Sequence, residues 1–211
     1  MAETAVRYLR SVGAATVAEP APSHPRPDLR AVGDDERLPL DPGEFRRVLG
    51  HFASGVTVIT ARAADDETGP AGFACQSFAS LSLDPPLIAF MVARTSTTWP
   101  RIARAGAFCV NVLGADQGEL CRGFAVSGAD KFAGVEHAPA PVSGAPRLTG
   151  VPAWLDCTIH AVHTGGDHLI VVGRVDALDA TEGGRPLLFH QGRFGRLADQ
   201  PDQGASPGSP R

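Results

Sequence analysis

Four short runs carry the side chains best suited to chemistry. The densest set of potential metal ligands is Cys157, His160, His163 and His168. If DCTIHAVH is a strand, its side chains alternate faces, so Cys157 and His163 share one face and His160 takes the other. Those spacings cannot converge on a metal without a break in the strand, and ordinary core or surface histidines are the expectation. His168 sits differently, in GGDHLIVVG, where Gly165 and Gly166 predict a tight turn with Asp167 and His168 emerging from it. Glycines beside a polar pair mark either a close approach of backbone to a ligand or a plain hairpin turn. TSTTW (residues 95–99) places four hydroxyls just ahead of a helix start, flanked by Arg94 and Arg101. Free N–H groups and the helix dipole suit such a place to a phosphate, whereas simple capping would need only one of the four.

The fourth run is FACQSFASLSLDPPL (residues 73–87). It carries Cys75, Gln76, Ser77, Ser80 and Ser82 where a core-filling strand prefers branched and aromatic groups. On a regular strand Gln76, Ser80 and Ser82 share one face and Ser77 takes the other. Ser77 and Ser80 converge only if the backbone turns between them. Such a turn would offer N–H and hydroxyl groups to a sugar alcohol or an acceptor-rich ring edge. A polar-faced edge strand is the other reading.

Several function classes drop out. GxxxxGK[ST], a strand-linked GxGxxG and GxSxG are all missing, which removes the phosphate-loop, Rossmann and esterase readings but not a cofactor held some other way. A net charge of -4 with singly scattered arginines argues against nucleic acid or an anionic membrane as partner. No apolar run approaches the roughly 20 residues that span a bilayer, and residues 1–20 lack an apolar stretch of signal-peptide length, so a cytoplasmic protein is expected. The four cysteines, Cys75, Cys109, Cys121 and Cys157, are dispersed without a CxxC pair. Buried thiols are expected rather than a zinc site, and no metal is assigned.

The elements that must position these runs are short. Residues 1–40, with Pro20, Pro22, Pro25 and Pro27, predict a flexible extension, and the tail at 198–211 is similarly Pro, Gly and Ser rich. The domain is expected over 41–197. It opens with a helix bearing Phe45, Val48, Leu49 and Phe52 at helical spacing, after an Asp41-to-Glu44 capping pattern. Residues 56–60 (VTVIT) predict a strand, the polar run closes as a strand at Pro85 and Pro86, and residues 87–92 form another. A short helix follows between Pro100 and Gly106, then the strand FCVNVL and a helical patch near 117–124. Late strands are predicted at 154–163, 168–178 and 187–189. Many short strands with few helices argue for a closed β-barrel, with an open α+β sheet as the alternative.

Taken in order, the polar run ending in SLDPPL, RTSTTW, FCVNVL, DKFAG, GGDH and PLLFHQGRFG resemble the flavin reductase family. These are FMN-binding split-barrel proteins, the reductase partners of two-component flavin monooxygenases. The resemblance runs from about residue 45 to 195, and GFACQSFASLSLDPPL with GGDH is especially similar to actinobacterial reductases serving aromatic and steroid-ring hydroxylases. It implies a mainly β, Greek-key-like split β-barrel with a few short helices, homodimeric, holding FMN or FAD and using NADH or NADPH as co-substrate. By the same resemblance, Ala74, Cys75, Gln76, Ser77 and Ser80 would line the flavin ring and ribityl chain. Ser96, Thr97 and Thr98 would take the phosphate with Ala93 beside it. Phe124 and Lys131 would close the pocket, and Gly166, Asp167 and His168 would meet the nicotinamide. His190 stands where many relatives carry Tyr, and the N-terminal extension has no family counterpart.

The resemblance thus implies an NAD(P)H:flavin oxidoreductase in which hydride passes between cofactors and no side-chain nucleophile is needed. His168 would position the nicotinamide. Reduced flavin would leave by diffusion for a separate flavin-dependent monooxygenase. Two rivals are a flavin- or haem-binding split-barrel carrier or sensor without reductase activity, and an oxidase of the pyridoxamine-phosphate type. GGDH argues against the first, and the sparse basic residues near TSTTW argue against the second.

Overall fold

Residues 56–60 are β-branched throughout, and they build the most deeply covered strand of the protein. The computed structural model describes residues 40–65, 68–128 and 130–198. The expected extension and tail therefore lie, save for residues 40 and 198, outside the described residues. After the two-residue β1 (Ser54–Gly55), β2 (Thr57–Ala61) is buried at every position. Both of its faces are covered, which is why it reads as an unbroken apolar and β-branched run. Ile59 and Ala61 join a core of Phe90, Phe108, Trp99 and Ile102. Val58, with Val56 just ahead of the strand, packs with Leu113, Cys121, Phe124 and Leu187 in a second cluster.

Around β2 run β3 (Ala71–Cys75), β4 (Ala79–Leu83), β5 (Pro86–Ala93), β6 (Ala107–Val112), β9 (Ala153–Gly165) and β10 (His168–Ala180). They form one antiparallel seven-stranded sheet in the order β3-β2-β6-β9-β10-β5-β4. β3 and β4 are consecutive in the chain yet occupy opposite edges, joined only by residues 76–78. So short a link forces the sheet to curl until its edges approach. At the seam the Ser77 hydroxyl does the work of a strand ladder. Its Oγ accepts from the Met91 amide and donates to the Met91 carbonyl, each at 2.9 Å. The fold is thus mainly β, a barrel held across its split by a side chain, and the open α+β alternative gives way.

The polar run predicted as a single strand up to Pro85 is two strands on opposite edges. Phe90 centres the interior, with ring centroids 5.3 Å from Phe108, 6.0 Å from Phe73 and 6.2 Å from Trp99. All four cysteines are buried free thiols. Burial pushes Cys109 up to about 12 and raises Cys157 further still.

Helix α1 (Pro42–Leu49) forms where the periodicity predicts, with Glu44 paired to Arg47. Its apolar side, however, finds no cover among the described residues: Phe45, Val48 and Leu49 are 52%, 52% and 55% exposed, and Phe52 beyond it 81%. Helix α2 (Trp99–Ala105) ends on Gly106, whose φ of 70° turns the chain and lets its N–H reach the carbonyls of Ile102 and Ala103. Helix α3 (Gly118–Ala125) packs on β3 and β2.

The remaining strands form two small additions. β11 (Leu188–His190) and β12 (Arg193–Gly195) make a hairpin that pairs with β1. β7 (His137–Pro139) and β8 (Pro146–Leu148) form another, tied to the barrel by buried polar groups. Asn111 donates to the carbonyls of Val58 and Pro146 and to Thr60 Oγ1, and its own carbonyl accepts from Leu148 N at 2.8 Å. Asp156 accepts from Val142 N, Ser143 N and the Ser143 hydroxyl.

Candidate functional site

The split in the barrel opens onto a cleft of about 1070 Å³ between the end of β3, the loop after β5, helix α3 and the β11–β12 hairpin. Of the residues expected from sequence, Ala74, Cys75, Gln76, Ser77, Ala93, Ser96, Thr97, Thr98, Phe124, Lys131 and His168 all border it. Four stretches of chain, at 74–77, 93–98, 124–131 and 168, therefore converge on one space. The reason is topological: β3 and β5 meet at the seam, and β10 pairs with β5 so that His168 lies opposite Ala93. Ser80, Gly166 and Asp167 do not line the cleft. Ser80 lies exposed on β4, on the far edge from β3; the chain does turn between Ser77 and Ser80, but the turn separates them.

At one end of the cleft stand the hydroxyls of residues 95–98. Ser96 Oγ accepts from Trp99 N at 3.1 Å and so starts α2. The Thr97 and Thr98 hydroxyls make no hydrogen bond among the described residues. They also border a second cleft of about 700 Å³ with Arg101, Gly69 and Lys131. Lys131 is the single lysine of the sequence. Its ammonium donates to Gly72 O at 3.2 Å and Phe124 O at 3.0 Å, which leaves one of three protons for a ligand. Burial holds this lysine below its ordinary value, so an arriving anion would relieve a desolvated charge. Gly72 has no side chain because none fits: a Cβ would lie 2.8 Å from the ring of Phe124, itself 1% exposed. These groups fit a phosphate.

In the middle, Ala74, Cys75 and Met91 offer small or flexible surfaces beside the seam. Cys75 borders the space as a thiol raised by burial, against weaker opposing hydrogen bonds from Ser77. It is no nucleophile at neutral pH. The Ser77 hydroxyl, the obvious ligand donor in the sequence, is engaged with Met91. His168 approaches from the β9–β10 turn, which Gly166 permits with a φ of 67°. Its Nδ1 sits 2.7 Å from Asp167 Oδ1, and Arg94 N donates to the Asp167 carbonyl at 3.0 Å. That carboxylate, held below its usual range by the imidazole, pins the ring and leaves Nε2 available to the cleft. Asp167 itself stays off the cleft and touches it only by way of His168.

The far end is closed by Phe189, Arg193 and Phe194 of the hairpin and Arg122 of α3. The first three lie within PLLFHQGRFG, a run that carries the resemblance but to whose residues, His190 apart, the sequence assigned nothing. His190 does not line the cleft; its ring faces His51 at 6.4 Å on the other side of β11. The aromatic rings of this hairpin that do border the cleft are Phe189 and Phe194, 5.7 Å apart. Among the described residues, Arg122, Lys131 and Arg193 line the cleft and no carboxylate does. His160 and His163 lie exposed on β9, while Cys157 is buried in the core. Such a site can bind and orient a large polyanionic, partly aromatic ligand, with no activated nucleophile in it.

Comparison with known proteins gives a consistent picture. Residues 49–198 match the flavin reductase like domain. The reductase subunit HsaB of a flavin-dependent monooxygenase from Rhodococcus jostii is 48% identical over 155 residues, 74% of this chain and 77% of that protein. An NADH-dependent FAD reductase from Streptomyces globisporus is 37% identical over 170 residues, 79% of this chain and 91% of that one. A crystal structure of a nitrilotriacetate monooxygenase component B homologue from Mycobacterium thermoresistibile superposes with a TM-score of 0.70 at 42% identity, covering 81% of this chain and 93% of that one. A Streptomyces globisporus NADH:FAD oxidoreductase in complex with NAD and FAD fragments gives 0.71 at 37%, covering 77% and 95%. By its matched domain and by these relatives, the chain belongs to the flavin reductase family.

Proposed function

We propose that the protein is an NAD(P)H:flavin oxidoreductase that reduces FMN or FAD and hands the reduced flavin to a separate monooxygenase. The observation that carries this reading is the convergence of residues 74–77, the Thr97–Thr98 hydroxyls with Lys131, and His168 on one cleft free of carboxylates among the described residues. Thr97, Thr98 and Lys131 would hold the flavin phosphate. Ala74, Cys75 and Gln76 would border the ring, whose position beside Met91 the Ser77 clasp keeps open. His168, oriented by Asp167, would hold the nicotinamide against the exposed ring face. A bound flavin supplies the acceptor for the nicotinamide hydride, so the protein's task is alignment and exclusion of water. Few charged contacts to the flavin suit a product that must dissociate.

Three further points belong to the same reading. The uncovered face of α1, together with Leu81 and Leu83 of β4 at 54% and 72% exposed, favours a homodimer in which a second copy covers apolar surface. Four reduced thiols suit the cytoplasm. The carrier alternative leaves the Asp167–His168 pair at the cleft without a task. The test is turnover: the protein with NADH or NADPH and either flavin should consume the nicotinamide, read as loss of its absorbance. No consumption in any combination would sink the reading.

A further inference from the structure

The hydroxyl and Lys131 end of the cleft accounts for one phosphate, yet two more cations stand at the other end. The two ends are distinct places. Thr97, Thr98 and Lys131 are shared with the second cleft beside Arg101, whereas Arg193 and Phe194 are shared with a third hollow beside His190 and Gln191. Arg122 at that far end is already committed. It pairs with the exposed Glu119 and lies over the Phe194 ring, 5.2 Å from its centroid. Arg193 differs: its guanidinium has no hydrogen bond or ion pair among the described residues. Its backbone is nevertheless held on both sides. Gln191 N donates to Gly50 O at 2.9 Å, and Phe194 packs so closely on α3 that a Cβ on Gly118 would lie 3.2 Å from its ring. An unpaired arginine on an anchored hairpin, facing a cleft with no carboxylate in a chain of net charge -4, is placed to receive an anion.

We propose that Arg193 binds the diphosphate of the nicotinamide dinucleotide. The inference rests on the reductase reading and adds the place where the co-substrate's phosphates are recognised. The forked guanidinium suits two adjacent phosphoryl groups better than a point charge would. The other source of the same chemistry is the diphosphate of FAD. Because the flavin phosphate falls to Thr97, Thr98 and Lys131, the adenylate half of FAD would extend toward Arg101, away from Arg193.

The test compares donors with and without a diphosphate on the same enzyme, with FMN as acceptor. Arg193→Gln should lower the ratio of kcat/KM for NADH to kcat/KM for N-benzyl-1,4-dihydronicotinamide by roughly tenfold, the loss of one charge-assisted hydrogen bond. Since both donors meet the same folded protein, a general defect cancels in the ratio. Arg193→Lys, which keeps the charge and loses the fork, should fall between the two. The wild-type KM for NADH should rise with salt more steeply than that of the variant. An unchanged ratio overturns the assignment. So does a rise in KM for FAD with FMN and NADH unaffected, which would give Arg193 to the flavin. Absence of wild-type turnover with every donor and flavin is a separate result, and it would remove the reductase reading along with this one.

Discussion

Ser77 offers a sharp separation between a structural and a ligand-binding role. Its hydroxyl takes the place of two backbone ladder bonds across the split, one accepted from Met91 N and one donated to Met91 O, both at 2.9 Å. Replacing it with Ala leaves both Met91 groups without that partner. Each neutral hydrogen bond is worth about 1 kcal/mol, so the ceiling is about 2 kcal/mol. Met91 is 42% exposed, and water can take over part of the loss, which brings the expectation to about 1–2 kcal/mol. For a domain of this size that is a fall in melting temperature of roughly 2–8 °C. The measurement is a thermal or urea melt of the flavin-free Ser77→Ala protein, with hydrogen exchange at the Met91 amide read alongside. The clasp reasoning requires a lower midpoint and faster exchange at Met91 with no ligand present. If the flavin-free variant melts with the wild type and only flavin binding weakens, Ser77 is a ligand contact and the clasp is wrong.

Other expectations follow from the same geometry. Lys131 has its value depressed by burial below the ordinary 10.5. Its charge is therefore lost, as pH rises, earlier than in an exposed lysine. Affinity for FMN, measured by fluorescence quenching, should fall through that alkaline window while affinity for riboflavin stays flat; parallel curves would refute the phosphate role. His168→Ala should raise the KM for NADH several-fold and more than the KM for flavin, since imidazole contact is assigned to the nicotinamide; the reverse order in steady-state kinetics would remove that assignment. Asn111 is fully buried with its amide and carbonyl both engaged. Asn111→Ala should cost about 3 kcal/mol in a denaturant melt by stranding buried partners, Leu148 N among them, and a shift under about 0.5 kcal/mol would contradict the network.

Much of the architecture was legible because it follows local periodicity. β2, β5, β6 and the long β9–β10 hairpin fall where β-branched and alternating runs predict them, and Gly106 ends α2 as its position suggests. The polar run at 73–87 misled for a physical reason. Residues 76–78 contain no Gly or Pro and continue the alternation, so nothing local marks the passage from one sheet edge to the other. That passage is decided by closure of the whole sheet. Ser80 falls outside the cleft with it, while Ser77 still borders the cleft and spends its hydroxyl on Met91. α1 was predicted as a helix, but periodicity alone says nothing of what covers an apolar face. Arg193 and Phe194 went unassigned because their place depends on two docking contacts, Gln191 on Gly50 and Phe194 on α3, which no local pattern encodes. The cluster at Thr97, Thr98, Lys131 and His168 was found mainly through the order of its motifs, each too short to be specific alone.

Direct hydride transfer between a nicotinamide and a flavin held in one cleft can be followed by mixing the protein anaerobically with flavin and NADH deuterated at C4. Flavin absorbance should bleach as the nicotinamide is consumed one for one, with a primary isotope effect for one of the two C4 epimers. An intact flavin spectrum with either FMN or FAD and either nicotinamide would contradict the account.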